Sequence, residues 1–462
     1  MPGPRAVCRV YAGVVAVGEC PESADPAATA PDPGRRAGLP AVVRAKAGLC
    51  GYVVSVAPAP PGTHPATGAP INLRKLGRVR VLRALSEDGS LSRAELVQRT
   101  GLARASVGSV IFDLTDAGLV RETAEAAATS PRMGRPPELL SLVPTAAYAL
   151  GVDIGHDRVR TVLTDLVGTP CWDRSDRLDV DSSPGPALEA ATELIDRAIA
   201  ETGVPPDKIL GLGMGIACPV DDGHGELAAE GIMPGWVGVR PAGELASRTG
   251  LDVRVINDAN ACVLAERRFG AARESGDILY LRLSSGIGAG VVCGGRMLLG
   301  HNGLAGELGH VSVDPDGAVC RCGNRGCLET VASPTAIAAL LTRSWGRPVS
   351  DTDLADLLRS GDRGTLRAVE DAGEAVGRVL APAVLLLNPE LIVVGGELAP
   401  VGEALFEPMR RVLARSIMSP HARALRIVAG ALGDSAGVRG AAALVLDGAP
   451  ERLSLYPQPV SK

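Results

Sequence analysis

The residues with the most specific chemistry in this sequence are one histidine and three cysteines. His310 precedes Cys320, Cys322 and Cys327, and glycines separate the last two cysteines. Three thiolates and one imidazole complete the tetrahedral shell that zinc prefers, and glycines allow the tight turns through which such donors converge. A closed shell leaves no open coordination position, so the spacing predicts a structural zinc site rather than a catalytic one. A chance cluster of buried cysteines is the alternative.

A second set of polar residues could bind a sugar, which needs several directed hydrogen bonds from a rigid backbone. Asn257 and Asp258 follow an apolar stretch that predicts a strand, at the point where a helix should begin. Glu307 and Glu329 flank the cysteine cluster, and His310 belongs to both sets. These carboxylates and amides could supply such hydrogen bonds, although Asp258 could also be the N-cap of the following helix.

The segment that begins after residue 70 has the pattern of three helices. A first helix is expected over 73–86, where leucine and valine recur at i, i+3 spacing. Ser92 and Glu95 form a capping-box sequence at the start of a short second helix, which ends at a glycine. A third helix is expected over 103–117, followed by a wing strand. This order predicts a winged helix-turn-helix, with a three-helix dimerisation bundle as the alternative.

Few side chains of the third predicted helix could contact DNA. Its exposed positions include Arg104, Ser106 and Ser109, and among these only Arg104 can make a bidentate contact to guanine or to phosphate. Further along the chain, Arg135 lies in a Gly-Arg-Pro sequence. This sequence resembles the element that lies along a narrow A·T-rich minor groove with its arginine leading. An ordinary linker turn is the alternative.

Composition divides the 462-residue chain into four parts. Residues 1–70 are rich in Pro, Ala and Gly without a sustained period, so we interpret them as disordered or as translated sequence upstream of the true start. The winged helix-turn-helix is assigned to 71–143. Alternating apolar strands, glycine-rich turns and amphipathic helices predict an α/β domain over 144–448. A C-terminal tail is assigned to 449–462.

Charge and cysteine usage limit the class of protein. The whole chain has a net charge of −5, whereas residues 71–143 hold 11 basic and 8 acidic side chains. A mildly basic segment in an otherwise acidic chain favours DNA contact by that segment alone. The ten cysteines do not form a disulfide framework, which indicates a reducing compartment. Because no apolar run is long enough to cross a bilayer, we expect a cytoplasmic, nucleoid-associated protein without membrane contact.

Two stretches of the sequence resemble the ROK family (repressor, open reading frame, kinase). The stretch from Leu91 to Val120 resembles the N-terminal domain of the family's regulators, and 303–310 with the cysteine cluster resembles the family's zinc motif. The resemblance implies that the α/β domain has the two-lobed actin and ribonuclease H-like fold of sugar kinases. It also implies that four residues bind a sugar: Asn257, Glu307, His310 and Glu329. A fifth sugar-site residue, Asp258, matches the catalytic base of the kinases.

The resemblance fails at the first phosphate loop. Kinases of this fold have Asp-x-Gly-Gly-Thr-Lys there; Asp153 and Gly155 match, but His156 replaces the second glycine and Asp157 replaces the threonine. A carboxylate repels a triphosphate. The histidine side chain also fills the space that a phosphate needs to reach the backbone N–H groups of the loop. We therefore expect no catalytic residue. Other glycine-rich positions match and are interpreted as vestigial: Ser285, Gly286, Gly288, Gly395 and Gly396.

The sequence leaves three classes of function open. The first is a repressor of carbohydrate metabolism that binds operator DNA, is controlled by a small carbohydrate and acts as a homodimer or homotetramer. The second is a zinc-containing ROK sugar kinase with an appended DNA-binding module, an interpretation supported by Asp258. The third is a zinc-stabilised interaction scaffold without a ligand. The helix-turn-helix pattern and the altered phosphate loop favour the first.

Overall fold

The computed structural model describes most of the 462-residue chain, namely residues 73–123, 138–220, 227 and 231–455. All of them belong to one compact unit that spans 72–462. The predicted extension over 1–70 and the predicted minor-groove residue Arg135 lie outside the described residues. Within the described part of the chain, no helix is long and apolar enough to cross a membrane.

Three helices and three short strands form a winged helix-turn-helix. The helices are α1 Leu73–Asp88, α2 Arg93–Thr100 and α3 Arg104–Asp116. The strands β1 Leu91–Ser92, β2 Val120–Thr123 and β3 Leu139–Leu142 pair antiparallel in the order β1-β3-β2. The three helices lie where the sequence predicted them, with ends shifted by two residues at most.

Local side-chain chemistry explains the boundaries of α2. Ser92 Oγ accepts a hydrogen bond from Glu95 N at 3.3 Å, and Glu95 Oε2 accepts one from Ser92 N at 2.7 Å, which is the predicted capping box. Gly101 follows the helix with a φ of 68°, a left-handed conformation that glycine adopts without steric cost. At the start of α3, Ala103 offers no side-chain hydrogen bond to the helix.

A five-stranded sheet forms the first lobe of the α/β domain. Its strands are β4 Tyr148–Ile154, β5 Arg158–Asp165, β6 Pro170–Arg177, β7 Ile209–Ile216 and β8 Val253–Asn257. The order is β6-β5-β4-β7-β8; β4, β5 and β6 are antiparallel, and β7 and β8 continue parallel to β4. Helices α4 Pro184–Thr202 and α5 Pro241–Thr249 pack on this sheet.

A second five-stranded sheet and a set of helices form the other lobe. The strands are β9 Ile278–Leu283, β10 Ile287–Cys293, β11 Arg296–Met297, β12 Leu391–Gly395 and β13 Arg426–Ala429, in the order β11-β10-β9-β12-β13. The remaining α-helices among the described residues, some of which pack between the lobes or on α1, are α6 Asp258–Phe269, α7 Glu329–Ala332, α8 Pro334–Trp345, α9 Asp351–Ser360, α10 Arg363–Leu387, α11 Glu403–Ser416, α12 Ser419–Ala424, α13 Ala436–Leu446 and α14 Ala449–Leu453.

Helices α6 and α13 pack against each other between the two sheets. α6 packs on β9 and β10, whereas α13 packs on β4 and β7. At their crossing, a Cβ on Gly440 would lie 1.8 Å from the carbonyl oxygen of Ala261, so only glycine allows this approach. Two similar sheets joined by a central helix pair agree with the predicted two-lobed α/β fold.

The winged helix-turn-helix shares an apolar core with the end of the α/β domain. Leu82 of α1 belongs to the same buried cluster as Leu446 of α13 and Leu453 of α14. The stretch 449–462 was expected to be only a tail, but its first five residues form the packed helix α14. They do so because their apolar side chains complete the core beneath α1.

Candidate functional site

A polar cleft opens between the two lobes, where β8 ends and α6 begins. Its second wall comes from the turn after β9, from the segment before the cysteine cluster and from the start of α7. Sugar-sized polar ligands bind in clefts of this kind, where a few polar groups converge. The five predicted sugar-binding residues all line the cleft: Asn257, Asp258, Glu307, His310 and Glu329.

Asn257 is the N-cap of α6. Its Oδ1 accepts hydrogen bonds from the backbone N–H groups of Ala259 at 3.0 Å and Asn260 at 3.2 Å. Its Nδ2 donates to Asp258 Oδ1 at 3.1 Å. The cap role that the sequence allowed for Asp258 therefore belongs to the preceding residue, because Asp258 is already the first residue of the helix.

Asp258 forms a buried ion pair that the sequence analysis missed. Arg282 Nη1 donates to Asp258 Oδ2 at 2.8 Å, and the two side chains are 13% and 15% exposed. Asp258 Oδ1 accepts a hydrogen bond from Ala259 N at 2.7 Å, so both carboxylate oxygens already have donors. Arg282 lies in β9, an otherwise apolar strand. A single charge in such a strand is the signal that could have revealed it, since unpaired charges are almost never buried.

Arg282 also acts on Asp153, the carboxylate of the predicted first phosphate loop. Burial raises the pKa of Asp153, and the positive charge of Arg282 opposes that rise. Burial would lower the pKa of Arg282, but the carboxylates of Asp258 and Asp153 contribute to raising it well above its ordinary value. Asp153 Oδ1 is buried and has no hydrogen-bond partner among the described residues. Arg282 therefore pairs directly with Asp258 and acts on Asp153 only through its charge.

Two glutamates, Glu307 and Glu329, line the second wall of the cleft. Glu329 Oε2 accepts a hydrogen bond from Ile287 N at 3.2 Å, and its Oε1 lies 3.3 Å from Arg321 Nε. Burial, together with the carboxylates of Asp258 and Glu329, raises the pKa of Glu307 to about 7. The pair therefore combines an anchored hydrogen-bond acceptor with a carboxyl group whose raised pKa favours protonation.

His310 and the three cysteines form a compact cluster beside the cleft. One donor atom from each of His310, Cys320, Cys322 and Cys327 lies within 4.8 Å of the others. His310 Nδ1 is 3.5 Å from Cys320 Sγ, and Cys322 Sγ is 3.6 Å from Cys327 Sγ. His310 Nε2 lies 3.8 Å from Glu307 Oε2. The cluster could hold a metal ion through Nδ1, which leaves Nε2 for the cleft.

Side chains occupy the predicted first phosphate loop. His156 Nδ1 lies 2.7 Å from Asp181 Oδ1, so the imidazole is held in place where the family pattern has glycine. Asp157 is exposed, and both residues line the cleft next to Gly155. The facing turn of the second lobe keeps its small residues in the cleft wall: Ser285, Gly286 and Gly288.

Packing explains the two glycines at the end of β12. A Cβ on Gly395 would lie 1.9 Å from Tyr280 Oη, and a Cβ on Gly396 would lie 2.3 Å from the carbonyl oxygen of Leu283. The approach of β12 to β9 therefore requires glycine at both positions. Their presence carries no information about nucleotide binding.

The residues of α3 that are predicted to contact DNA are all exposed. Arg104, Ser106 and Ser109 are all exposed, and Phe112 on the same helix is 73% exposed. The opposite side of α3 is buried against the rest of the unit, as the apolar spacing predicted. Apart from Arg104 and Asp116, the exposed side chains of this helix are uncharged or apolar, so Arg104 is its one exposed cation.

Comparison with known proteins identifies both parts of the chain. The ROK family profile matches residues 149–448, and a winged helix-turn-helix DNA-binding profile matches residues 78–121. A xylose repressor of Bacillus subtilis (strain 168) is 27% identical over 373 residues, which cover 81% of this chain and 95% of the repressor. A glucokinase of Thermotoga maritima is 37% identical over 275 residues, which cover 56% of this chain and 87% of the kinase.

A solved structure extends the similarity over both parts. A ROK family transcriptional regulator, described as a homologue of the Escherichia coli MLC protein, superposes with a TM-score of 0.69 at 27% identity. The alignment covers 83% of this chain and 98% of that regulator. The predicted family is therefore confirmed: this chain belongs to the ROK family and has the two-part organisation of the family's DNA-binding transcriptional regulators.

Proposed function

We propose that the protein represses genes of carbohydrate metabolism, binding operator DNA through the winged helix-turn-helix and a monosaccharide in the polar cleft. One observation carries the proposal. Helix α6 begins in the cleft at Asp258, and near its other end Arg268 Nη2 donates to Ser86 Oγ of α1 at 2.7 Å. The 12 residues of α6 rise about 18 Å, so one rigid element joins the sugar cleft to the DNA-binding unit.

The cleft supplies the mixture of groups that a sugar requires. Glu329 accepts hydrogen bonds, the carboxyl group of Glu307 can donate or accept, and His310 Nε2 faces the same space. Asn257 and Asp258 present an amide and a carboxylate from the opposite lobe. Hydroxyl groups both donate and accept, so these side chains can fix the orientation of a sugar ring. The names of the relatives, a xylose repressor and a glucokinase, support a monosaccharide as the ligand.

Zinc is the ion that best suits the four-residue cluster. Three sulfur donors and one imidazole match the composition of closed zinc sites and exclude the oxygen-rich shells of calcium or magnesium. The ion would fix His310 through Nδ1 and so orient Nε2 towards the sugar. Its role is therefore structural and positioning, with no part in a reaction.

Kinase activity is not expected, for two reasons. The carboxylate of Asp258, which is the candidate general base, is engaged in an ion pair with Arg282 and would have to accept the proton of a sugar hydroxyl while it keeps that contact. On the phosphate side, His156 is held across the loop by Asp181, and Asp157 adds a negative charge where a triphosphate would lie. Sugar binding requires only the sugar-binding residues of the cleft and does not require the phosphate loop.

Sugar binding would reach the DNA through the contacts of Arg268. Closure of the cleft on a sugar moves the start of α6, and a helix transmits that displacement to its other end. There Arg268 donates a hydrogen bond to Ser86 of α1. It also donates one at 2.5 Å to Asp447, which follows the end of α13. A shift of this contact changes the position of the winged helix-turn-helix and thus the affinity for an operator.

DNA contact is assigned to α3 and to the wing. Arg104, Ser106 and Ser109 would reach the major groove, and Arg135 the minor groove. A homodimer or homotetramer would place two such units on the half-sites of a palindromic operator. This role implies a cytoplasmic protein that associates with the nucleoid.

Calorimetric titration of the full chain with xylose, glucose and related monosaccharides tests the sugar site. We expect saturable binding of at least one sugar, with affinity reduced about tenfold or more by Glu329→Gln or Asn257→Ala, because each variant removes hydrogen bonds to the ligand. Glu193→Gln, an exposed carboxylate on α4, is the matched control and should bind normally. A folded protein that binds none of these sugars would contradict the proposal.

A sugar kinase with an appended DNA-binding module is the second candidate. It is favoured by Asp258 at the position of the kinase base and by the similarity to a glucokinase. Coupled detection of ADP release with the same sugars and saturating Mg·ATP separates the candidates. We expect no turnover; a turnover that disappears in Asp258→Asn would establish the kinase instead.

A further inference from the structure

A second cleft lies between the winged helix-turn-helix and the α/β domain, and we call it the interdomain cleft. Its walls are the end of α1, the turn between β5 and β6, and the C-terminal ends of α6 and α13. Its volume is about 790 Å³, which is sufficient for a small organic ligand. It lies at the opposite end of α6 from the sugar cleft.

Arginines dominate the lining of the interdomain cleft. Six arginines and three carboxylates contribute to its walls, and the arginines are Arg83, Arg99, Arg267, Arg268, Arg273 and Arg439. Three of them have carboxylate partners: Arg83, Arg99 and Arg268. Within the described part of the chain, the other three have none: Arg267, Arg273 and Arg439. The cleft therefore keeps an excess of positive charge that the protein itself does not neutralise.

Arg439 lacks a suitable acceptor in this cleft. Its Nε is buried and has no hydrogen-bond partner among the described residues, and its Nη2 makes only a long contact of 3.5 Å with the carbonyl oxygen of Gly168. The guanidinium lies 4.7 Å from the centre of the Phe269 ring, which fixes its orientation. A partly desolvated cation without an acceptor is unfavourable, and an anion in the cleft would supply one.

The interdomain cleft is not on the surface that α3 offers to DNA. α1 packs on the buried side of α3, where a Cβ on Gly77 would lie 3.2 Å from Val110 Cγ2. Arg104 and Ser109 are exposed on α3, whereas the cleft involves the end of α1 that faces the α/β domain. A small anion therefore fits the position of the cleft better than the phosphate backbone of an operator.

We propose that the interdomain cleft is a second effector site, which binds a small phosphorylated metabolite. Arg267, Arg273 and Arg439 hold its phosphate oxygens by charge-assisted hydrogen bonds. The winged helix-turn-helix and the α/β domain both form walls of the site. A ligand bound there therefore stabilises one arrangement of the two parts and changes operator affinity independently of the sugar cleft.

Calorimetric titration of the full chain with inorganic pyrophosphate tests this site. We expect saturable binding at one site per chain, weakened about tenfold or more when Arg267→Ala and Arg273→Ala are combined. Neither arginine has a partner among the described residues, so the double variant should melt like the wild type. Arg439→Lys keeps the charge but removes the Nε donor, and it should also weaken binding. Arg248→Ala, an exposed arginine on α5, is the matched control and should bind like the wild type.

Three results would overturn the proposal. The first is the absence of pyrophosphate binding at millimolar concentrations. The second is equal binding by the wild type, the double variant and the control, which would place the anion in the sugar cleft or elsewhere. The third is a double variant that loses operator affinity in a protein that binds no pyrophosphate, which would assign the arginines to the DNA backbone.

Discussion

The contact between Arg268 and Ser86 should determine how strongly a bound sugar changes operator affinity. Arg268 is 14% exposed and donates to Ser86 Oγ at 2.7 Å and to the half-exposed Asp447. A hydrogen bond to a charged group contributes about 1.5–3 kcal/mol, whereas an ion pair with an exposed partner contributes roughly 1 kcal/mol or less. Allosteric coupling between two sites is typically about 1–3 kcal/mol. Loss of the Ser86 contact is therefore large enough to remove most of the coupling.

The assay is the operator affinity of the wild type and of Arg268→Ala, measured by fluorescence anisotropy with and without saturating sugar. The two affinities of the wild type should differ by about 5–150-fold, and those of Arg268→Ala should be nearly equal although sugar affinity is unchanged. Ser86→Ala should reproduce this loss from the α1 side. Arg83→Ala breaks an ion pair between α1 and Glu451 of α14 and should keep the wild-type ratio. An unchanged ratio in both Arg268→Ala and Ser86→Ala would refute transmission through α6.

Three further changes test separate parts of the molecule. Cys322→Ser should remove about one zinc per chain by metal analysis and lower the melting temperature, whereas Cys171→Ser, at an exposed cysteine, should do neither; a stable zinc-free variant that still binds sugar would contradict the structural role. Arg282→Ala should lower the free energy of unfolding in urea by about 1.5–3 kcal/mol, because the part-buried carboxylate of Asp258 loses the hydrogen bond from its charged partner; a loss below about 1 kcal/mol would argue against this. Arg135→Ala should weaken binding mainly to operators with A·T-rich flanks and Arg104→Ala binding to all operators, and equal losses on every sequence would exclude minor-groove reading by Arg135.

Features that depend on neighbouring residues could be predicted from the sequence. The capping box of Ser92 and Glu95 marks the start of α2 by itself, because its hydrogen bonds join residues three positions apart. The cluster of one histidine and three cysteines is similarly local, since its four residues lie within 18 positions of one another. The three helices of the winged helix-turn-helix likewise follow from apolar periodicity.

Features that join distant parts of the chain could not be predicted in this way. Arg282 is 24 positions from Asp258, and Arg268 is 182 positions from Ser86, so no spacing rule connects them. The helix α14 was missed because five residues have no clear period, and only the core beneath α1 explains why they fold.

The central claim is that one chain binds a specific DNA sequence and changes its affinity for that sequence when a sugar binds. The most direct test is the Kd of the full chain for a duplex that it selects from a random-sequence library, measured with and without the monosaccharide that binds in calorimetry. We predict that the two values differ by about 5–150-fold. Equal values, in a chain that demonstrably binds both the duplex and the sugar, would contradict the claim.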